Sequence, residues 1–143
     1  MSVATILLIE DSVADVLVLR HCLDQLGKEY QLKILADGEE VLQFIDEHRR
    51  RTEEPEPCVI LLDLNLPHYN GLQLLAEIKR VPALEHIRVV VFSSMASPEQ
   101  RRAVEKMGAI YRPKPSDLGH LQALAAEIMG LCTGETRVLA ASE

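Results

Sequence analysis

The chain has no tryptophan and only three tyrosines and two phenylalanines among 143 residues, so its core must be built from aliphatic side chains rather than aromatic stacks. A basic excess is missing too. Fifteen Lys and Arg against 22 Asp and Glu leave a net charge of −7, which argues against a nucleic-acid surface, because phosphate binding needs cations clustered on one face. The one basic run, Arg49-Arg50-Arg51, is diluted by Glu53, Glu54 and Glu56 and reads as a solvated helix end. No apolar stretch approaches the ~20 residues of a membrane span, and no charged-then-apolar leader opens the chain. A cytoplasmic protein is therefore expected. Cys22, Cys58 and Cys132 are odd in number, widely spaced and free of any C-x-x-C, a pattern that suits reduced thiols better than a disulfide framework. The histidines, His21, His48, His68, His86 and His120, show no metal-ligand spacing. Only His68 falls near the candidate site, and it reads as an ordinary loop residue.

What the chain does have is a set of short apolar runs that end in acids. Residues 58–67, Cys-Val-Ile-Leu-Leu-Asp-Leu-Asn-Leu-Pro, form an unbroken branched run bounded by prolines, as expected of a strand buried on both faces. Asp63 stands at its carboxyl end. In an open α/β sheet that rim is where ligands collect, although an aspartate there can also simply cap a loop. Residues 4–9 repeat the pattern and end in Glu10 and Asp11. Ser12 follows as a helix N-cap, with Asp15 completing a capping-box spacing. The helix should run to Leu26 and stop at Gly27, with Val18, Leu19, Cys22, Leu23 and Leu26 as its core stripe. Val13, Val16 and Leu17 lie partly off that stripe, either as a docking surface or as part of a generously apolar helix between two layers.

Residues 31–36 read as a strand nearer the sheet edge, turned by Asp37-Gly38 into a helix with Val41, Leu42, Phe44 and Ile45 inward. A polar connector, residues 52–57, leads to the Asp63 strand. After the loop 67–71 comes a helix carrying Leu72, Leu74, Leu75 and Ile78. Residues 87–92 form a strand that delivers Ser93 and Ser94 to its end. Pro98 opens a fourth helix, with Ala103, Val104 and Met107 inward and Arg101 and Arg102 on a charged face, and Gly108 ends it. Residues 109–112 are a short fifth strand followed by Pro113-Lys114-Pro115. A last helix, residues 117–129, presents Leu118, Leu121, Leu124, Ala125 and Ile128.

Five strand–helix alternations call for one domain with a parallel sheet and helices on both faces. The expected architecture is a flavodoxin-like α/β sandwich with strand order 2-1-3-4-5. That order gathers Glu10, Asp11, Asp63, Ser93 and Lys114 along one rim. Carboxylates crowded together repel unless a cation intervenes, and hard oxygen donors at this density suit Mg²⁺. An ion, a carboxylate, a hydroxyl and an ammonium are the parts phosphoryl transfer uses, with Asp63 as the in-line nucleophile.

This constellation resembles the receiver domain of bacterial two-component response regulators. Acid-acid after the first strand, Asp-x-x-x-Pro after the third, Ser after the fourth and Lys-Pro after the fifth occur in order. By that resemblance Asp63 is the phosphoacceptor, and Glu10, Asp11, Asp63 and the Asn65 backbone carbonyl hold Mg²⁺. Ser93 and Lys114 bind the phosphoryl group, and Tyr111 is the aromatic switch. Glu10 and Ser93 replace the commoner Asp and Thr. Ile-Glu-Asp-Ser-x-Ala-Asp, Leu-Leu-Asp-Leu-Asn-Leu-Pro and the tail 135–139 are similar to single-domain regulators that partner bacterial phytochromes. The implied partners are a sensor histidine kinase and a second copy of the chain, paired through the fourth and fifth helices, the fifth strand and the tail.

Three other functions fit less well. An aspartate-nucleophile phosphatase needs a second acid two residues after the nucleophile, where Asn65 stands. A flavodoxin needs a hydroxyl-rich phosphate loop where Glu10 and Asp11 stand, and a scaffold that is never phosphorylated would not need a complete site. Residues 1–130 are assigned to the receiver domain and 131–143 to a tail too short for an output module. Its stretch 136–141 is either a dimer contact or frayed.

Overall fold

The computed structural model describes residues 3–50 and 56–134. Most of the connector 52–57 and the tail stretches 135–139 and 136–141 lie outside them. Five strands, β1 (Ala4–Ile9), β2 (Tyr30–Leu35), β3 (Val59–Asp63), β4 (Arg88–Ser93) and β5 (Ile110–Pro113), alternate with five helices. The helices are α1 (Val13–Asp24), α2 (Gly38–Arg49), α3 (Gly71–Lys79), α4 (Pro98–Lys106) and α5 (Leu118–Thr133). The sheet has the expected order β2-β1-β3-β4-β5, and every pairing is parallel.

Period-two alternation sends each strand's side chains into two separate cores. Leu7, Ile9, Ile60, Leu62, Val89 and Val91 pack with α2, α3 and α4. Ile6, Leu8, Val59, Leu61, Val90 and Phe92 pack with α1 and α5. All five residues of β3 are buried, so the central strand lies in register between Ile9 of β1 and Phe92 of β4, with Asp63 at its last rung.

The helices depart from the sequence pattern where their faces turn out less apolar than their composition. Val18 and Leu42, expected inward, are 42% and 43% exposed, and Leu118 is 52% exposed. In α2 the inward place is taken by His48, which is buried and stacks on Phe44 with its Nδ1 2.9 Å from the Phe44 carbonyl. Of the off-stripe residues of α1, Val16 is buried while Val13 and Leu17 remain 72% and 60% exposed. α1 ends at Asp24, short of Leu26, and Gly27 then takes a positive φ of 71° that side chains resist. α5 runs to Thr133, past the expected end at Met129. Its extra turn has a consequence for the cysteines: Cys132 on that turn is joined to Cys58, just before β3, in a disulfide with Cα atoms 5.0 Å apart. The expectation of three reduced thiols is corrected to one, the buried Cys22.

Close approach fixes the loop after β3. A Cβ on Gly71 would lie 2.6 Å from the Leu64 carbonyl oxygen and 2.7 Å from the Leu64 Cα, whereas one on Gly119 would meet nothing nearer than an Asp117 oxygen at 3.5 Å. Gly71→Ala should therefore cost about 1–3 kcal/mol of stability in urea unfolding, and Gly119→Ala should cost nothing or stabilise by up to ~1 kcal/mol. The Cys58–Cys132 bond closes a long loop, so its reduction should lower the unfolding free energy by about 2–4 kcal/mol, read as a shift of the urea midpoint with and without reductant.

Candidate functional site

Four strand ends build the site. β1 releases Glu10, whose N–H donates to the Leu35 carbonyl of β2 at 3.0 Å, holding the acid at the sheet rim. β3 delivers Asp63. β4 delivers Ser93, and the Ser93 carbonyl accepts the Lys114 N–H at 2.9 Å, which fixes the lysine's backbone one strand away. Asp11 follows Glu10 on the exposed side. The sequence separates these groups by a hundred positions. Parallel register brings them together.

Glu10, Asp63 and Ser93 are buried, with 2%, 3% and 1% exposure. Carboxylate oxygens of Glu10, Asp11 and Asp63 lie within 4.8 Å of one another. Their opponent is Lys114, whose Nζ donates to Glu10 Oε1 at 2.8 Å and to Asp63 Oδ2 at 3.3 Å and forms an ion pair with Asp15 Oδ2 at 2.8 Å. Burial pushes the Glu10 carboxyl up to about 7 against the pull of Lys114, and Asp63 adds to the rise. Burial works against the Lys114 ammonium, but hydrogen bonds to Asp15 and Glu10 and the charge of Asp63 hold its pKa above the ordinary lysine value. An all-oxygen donor set with two buried members and one exposed suits a hard divalent cation that keeps some of its water.

Asn65 sits between the acid and the hydroxyl. Its N–H donates to Asp63 Oδ1 at 2.9 Å, and its side-chain amide donates to Ser93 Oγ at 2.9 Å. Ser93 Oγ also accepts the Met95 N–H at 3.3 Å. Tyr111 lies on β5 opposite Val91, partly buried, with the Arg101 guanidinium 5.3 Å from its ring centre. His68, in the loop after β3, is exposed at a φ of 66° and does not belong to the carboxylate cluster.

One site residue was given the wrong job by the sequence. Asp15 fits the capping-box spacing, and its N–H does donate to Ser12 Oγ at 3.3 Å. The box is only half made, because the Ser12 N–H donates to Glu10 Oε2 at 3.2 Å and the Asp15 carboxylate reaches Lys114 instead. No local pattern marks this use, because Lys114 lies 99 positions further along the chain and only the fold brings it to Asp15.

Comparison with known proteins agrees with this geometry. Residues 6–126 match the response regulator receiver domain family. Response regulator Rcp1 of Synechocystis sp. is 42% identical over 89 residues, which cover 62% of this chain and 60% of Rcp1, so the alignment spans less than two thirds of that relative. The crystal structure of the Mn(2+)-bound form of Rcp1 superposes with a TM-score of 0.77 at 34% identity, covering 89% of this chain and 92% of that one. The phosphorylated cyanobacterial phytochrome response regulator RcpA superposes at 0.80 with 28% identity, covering 92% and 95%. With its strand order, its rim of acids and lysine, and this match along most of its length, the chain belongs to the response regulator receiver domain family.

Proposed function

We propose that the protein is a single-domain response regulator that accepts a phosphoryl group on Asp63 and passes the signal on through a rearranged protein surface. The observation that carries this is the Lys114 ammonium within reach of both Glu10 and Asp63, since a cation bridging two buried acids is placed to bind the oxygens of an entering PO₃ group. Asp63 attacks phosphorus through a carboxylate oxygen, the donor's P–N bond breaks, and the released imidazole keeps the bonding pair. Glu10, Asp11 and Asp63, with the Asn65 carbonyl, would hold Mg²⁺, which when bound would supply positive charge for the oxygens of the transferred group. Asn65 steadies Asp63 through its N–H and Ser93 through its amide.

Phosphorylation adds about −1.5 to −2 charges. Ser93 then exchanges the Asn65 amide for a phosphoryl oxygen, and Lys114 follows. The space left behind Ser93 takes Tyr111, which repacks the face of α4 and β5. The protein assists its own phosphorylation and dephosphorylation through these groups, without being an enzyme acting on a separate substrate.

The donor we favour is the phosphohistidine of a phytochrome-type sensor kinase, supported by the similarity to Rcp1 and RcpA. Pairing of two copies through α4, β5 and α5 completes the proposal; of the segment 131–143 expected as a tail beyond a receiver domain of residues 1–130, residues 131–133 belong to α5, and the remainder is the tail contact we propose. The Arg112–Glu127 ion pair, 2.6 Å long, ties β5 to α5 on that side of the domain. No described helix is long and apolar enough to cross a membrane. The cytoplasmic placement rests on the kinase partnership and not on the cysteines.

Incubation with acetyl phosphate and Mg²⁺ should add one phosphoryl mass to the wild type and none to Asp63→Asn, read by intact mass spectrometry. Equal uptake by the variant would remove Asp63 from its role. A second outcome concerns pH. Glu10 must be ionised to hold the ion, so Mg²⁺ affinity should fall as pH drops below about 7, and Glu10→Gln should flatten that dependence. Without Mg²⁺ the sign reverses. A carboxyl whose folded pKa is raised binds its proton more tightly in the native state, so its contribution to stability is present below the ordinary value and lost as pH rises toward about 7. Urea unfolding on either side of that window should show the slope in the wild type and not in Glu10→Gln.

A further inference from the structure

We propose that Asp15 is a positioning residue, which draws the Lys114 ammonium outward in the resting protein and so weakens the chain's hold on a phosphoryl group. This rests on the phosphoacceptor role of Asp63. The Lys114 ammonium hydrogen-bonds Glu10 and Asp63 and also stands in an ion pair with Asp15. The two short contacts, both 2.8 Å, are with Glu10 and Asp15, and the longest, 3.3 Å, is with Asp63. Asp15 differs from the other two acceptors. Its side chain is 48% exposed while theirs are 1% and 4% exposed, and it is not one of the three carboxylates that converge closely enough to share a cation.

An ion held by Glu10, Asp11 and Asp63 claims the acids on the inner side of Lys114, and Asp15 is then the carboxylate left to hold the lysine. A phosphoryl group on Asp63 must recruit the ammonium away from it. The cost of that transfer is the strength of a half-exposed ion pair, so Asp15 sets how readily the lysine moves without touching the ion or the reacting atoms. The half-made capping box supports this role: Ser12 Oγ takes the Asp15 N–H, which orients the first turn of α1, while the carboxylate is spent on Lys114 and not on the helix end.

The test uses trifluoroberyllate with Mg²⁺ as the phosphoryl mimic, titrated by NMR or fluorescence against the wild type, Asp15→Asn, Asp15→Glu and Asp117→Asn. Asp117 lines the same cavity as Asp15 and Lys114 and caps α5 through the His120 N–H at 2.8 Å. Asparagine caps nearly as well, so Asp117→Asn removes a neighbouring charge without removing the contact to Lys114. Asp15→Asn should bind the mimic about fivefold more tightly, the size of a half-exposed ion pair, when all variants are compared at saturating Mg²⁺. Asp15→Glu should restore wild-type binding, and Asp117→Asn should leave it in place.

Unchanged or weaker binding of the mimic by Asp15→Asn would overturn the proposal, as would an equal gain in Asp117→Asn. Acetyl phosphate labelling of the same proteins separates this from the parent role. If the wild type is labelled and Asp63→Asn is not, failure of the Asp15 series counts against Asp15 alone.

Discussion

Two acids are buried at the carboxyl edge of the sheet, and one ammonium stands between them. Glu10 and Asp63 are each nearly inaccessible to water, and burying a carboxylate is unfavourable unless it is paired or its proton is retained. The protein answers with Lys114 on one side and a raised Glu10 pKa on the other. A folded chain that hides this much acid is poised for a cation, and for a group whose oxygens a cation and a lysine can share. The sheet order, the two cores and the crossover helices set the coordinates of those few atoms.

The scaffold explains why the arrangement is stiff. β3 is buried along its whole length, so Asp63 inherits the positional definition of the core. Backbone hydrogen bonds from Lys114 to Ser93, and from Leu64 to Phe92, lock the neighbouring strand ends to it. Glycine at position 71 lets α3 begin against the Leu64 backbone, which holds the loop carrying Asn65 close to the rim. Around this fixed centre the proposal asks only side chains to move: Ser93, now bonded by the Asn65 amide, Lys114, now paired with three acids, and Tyr111, now beneath Arg101.

Much of this was legible from residues alone, for a physical reason. Parallel strands buried on both faces advertise themselves as branched apolar runs, and the acids that end them stand out against that background, so Glu10, Asp11 and Asp63 could be named together with the strand order that joins them. Amphipathic helices were harder to read. Leu42 and Val18 satisfy a helical stripe by spacing yet face water, while His48, polar by type, is stacked on Phe44 inside. The disulfide was hidden by parity and by distance along the chain, since only the extra turn of α5 brings Cys132 to Cys58. Asp15 was hidden by its own versatility. A carboxylate at that spacing has a local use at a helix start, and only the three-dimensional path of β5 shows that Lys114 claims it.

The central claim is that residues from separate strand ends form one cation-dependent phosphoryl site. A crystal structure of the protein with Mg²⁺ and trifluoroberyllate tests it most directly. The account predicts the ion held by Glu10, Asp11 and Asp63, with beryllium on an Asp63 oxygen and Lys114 Nζ and Ser93 Oγ turned onto fluorides. Beryllium bound at any other carboxylate, or Lys114 left with its present partners while the mimic occupies Asp63, would contradict it.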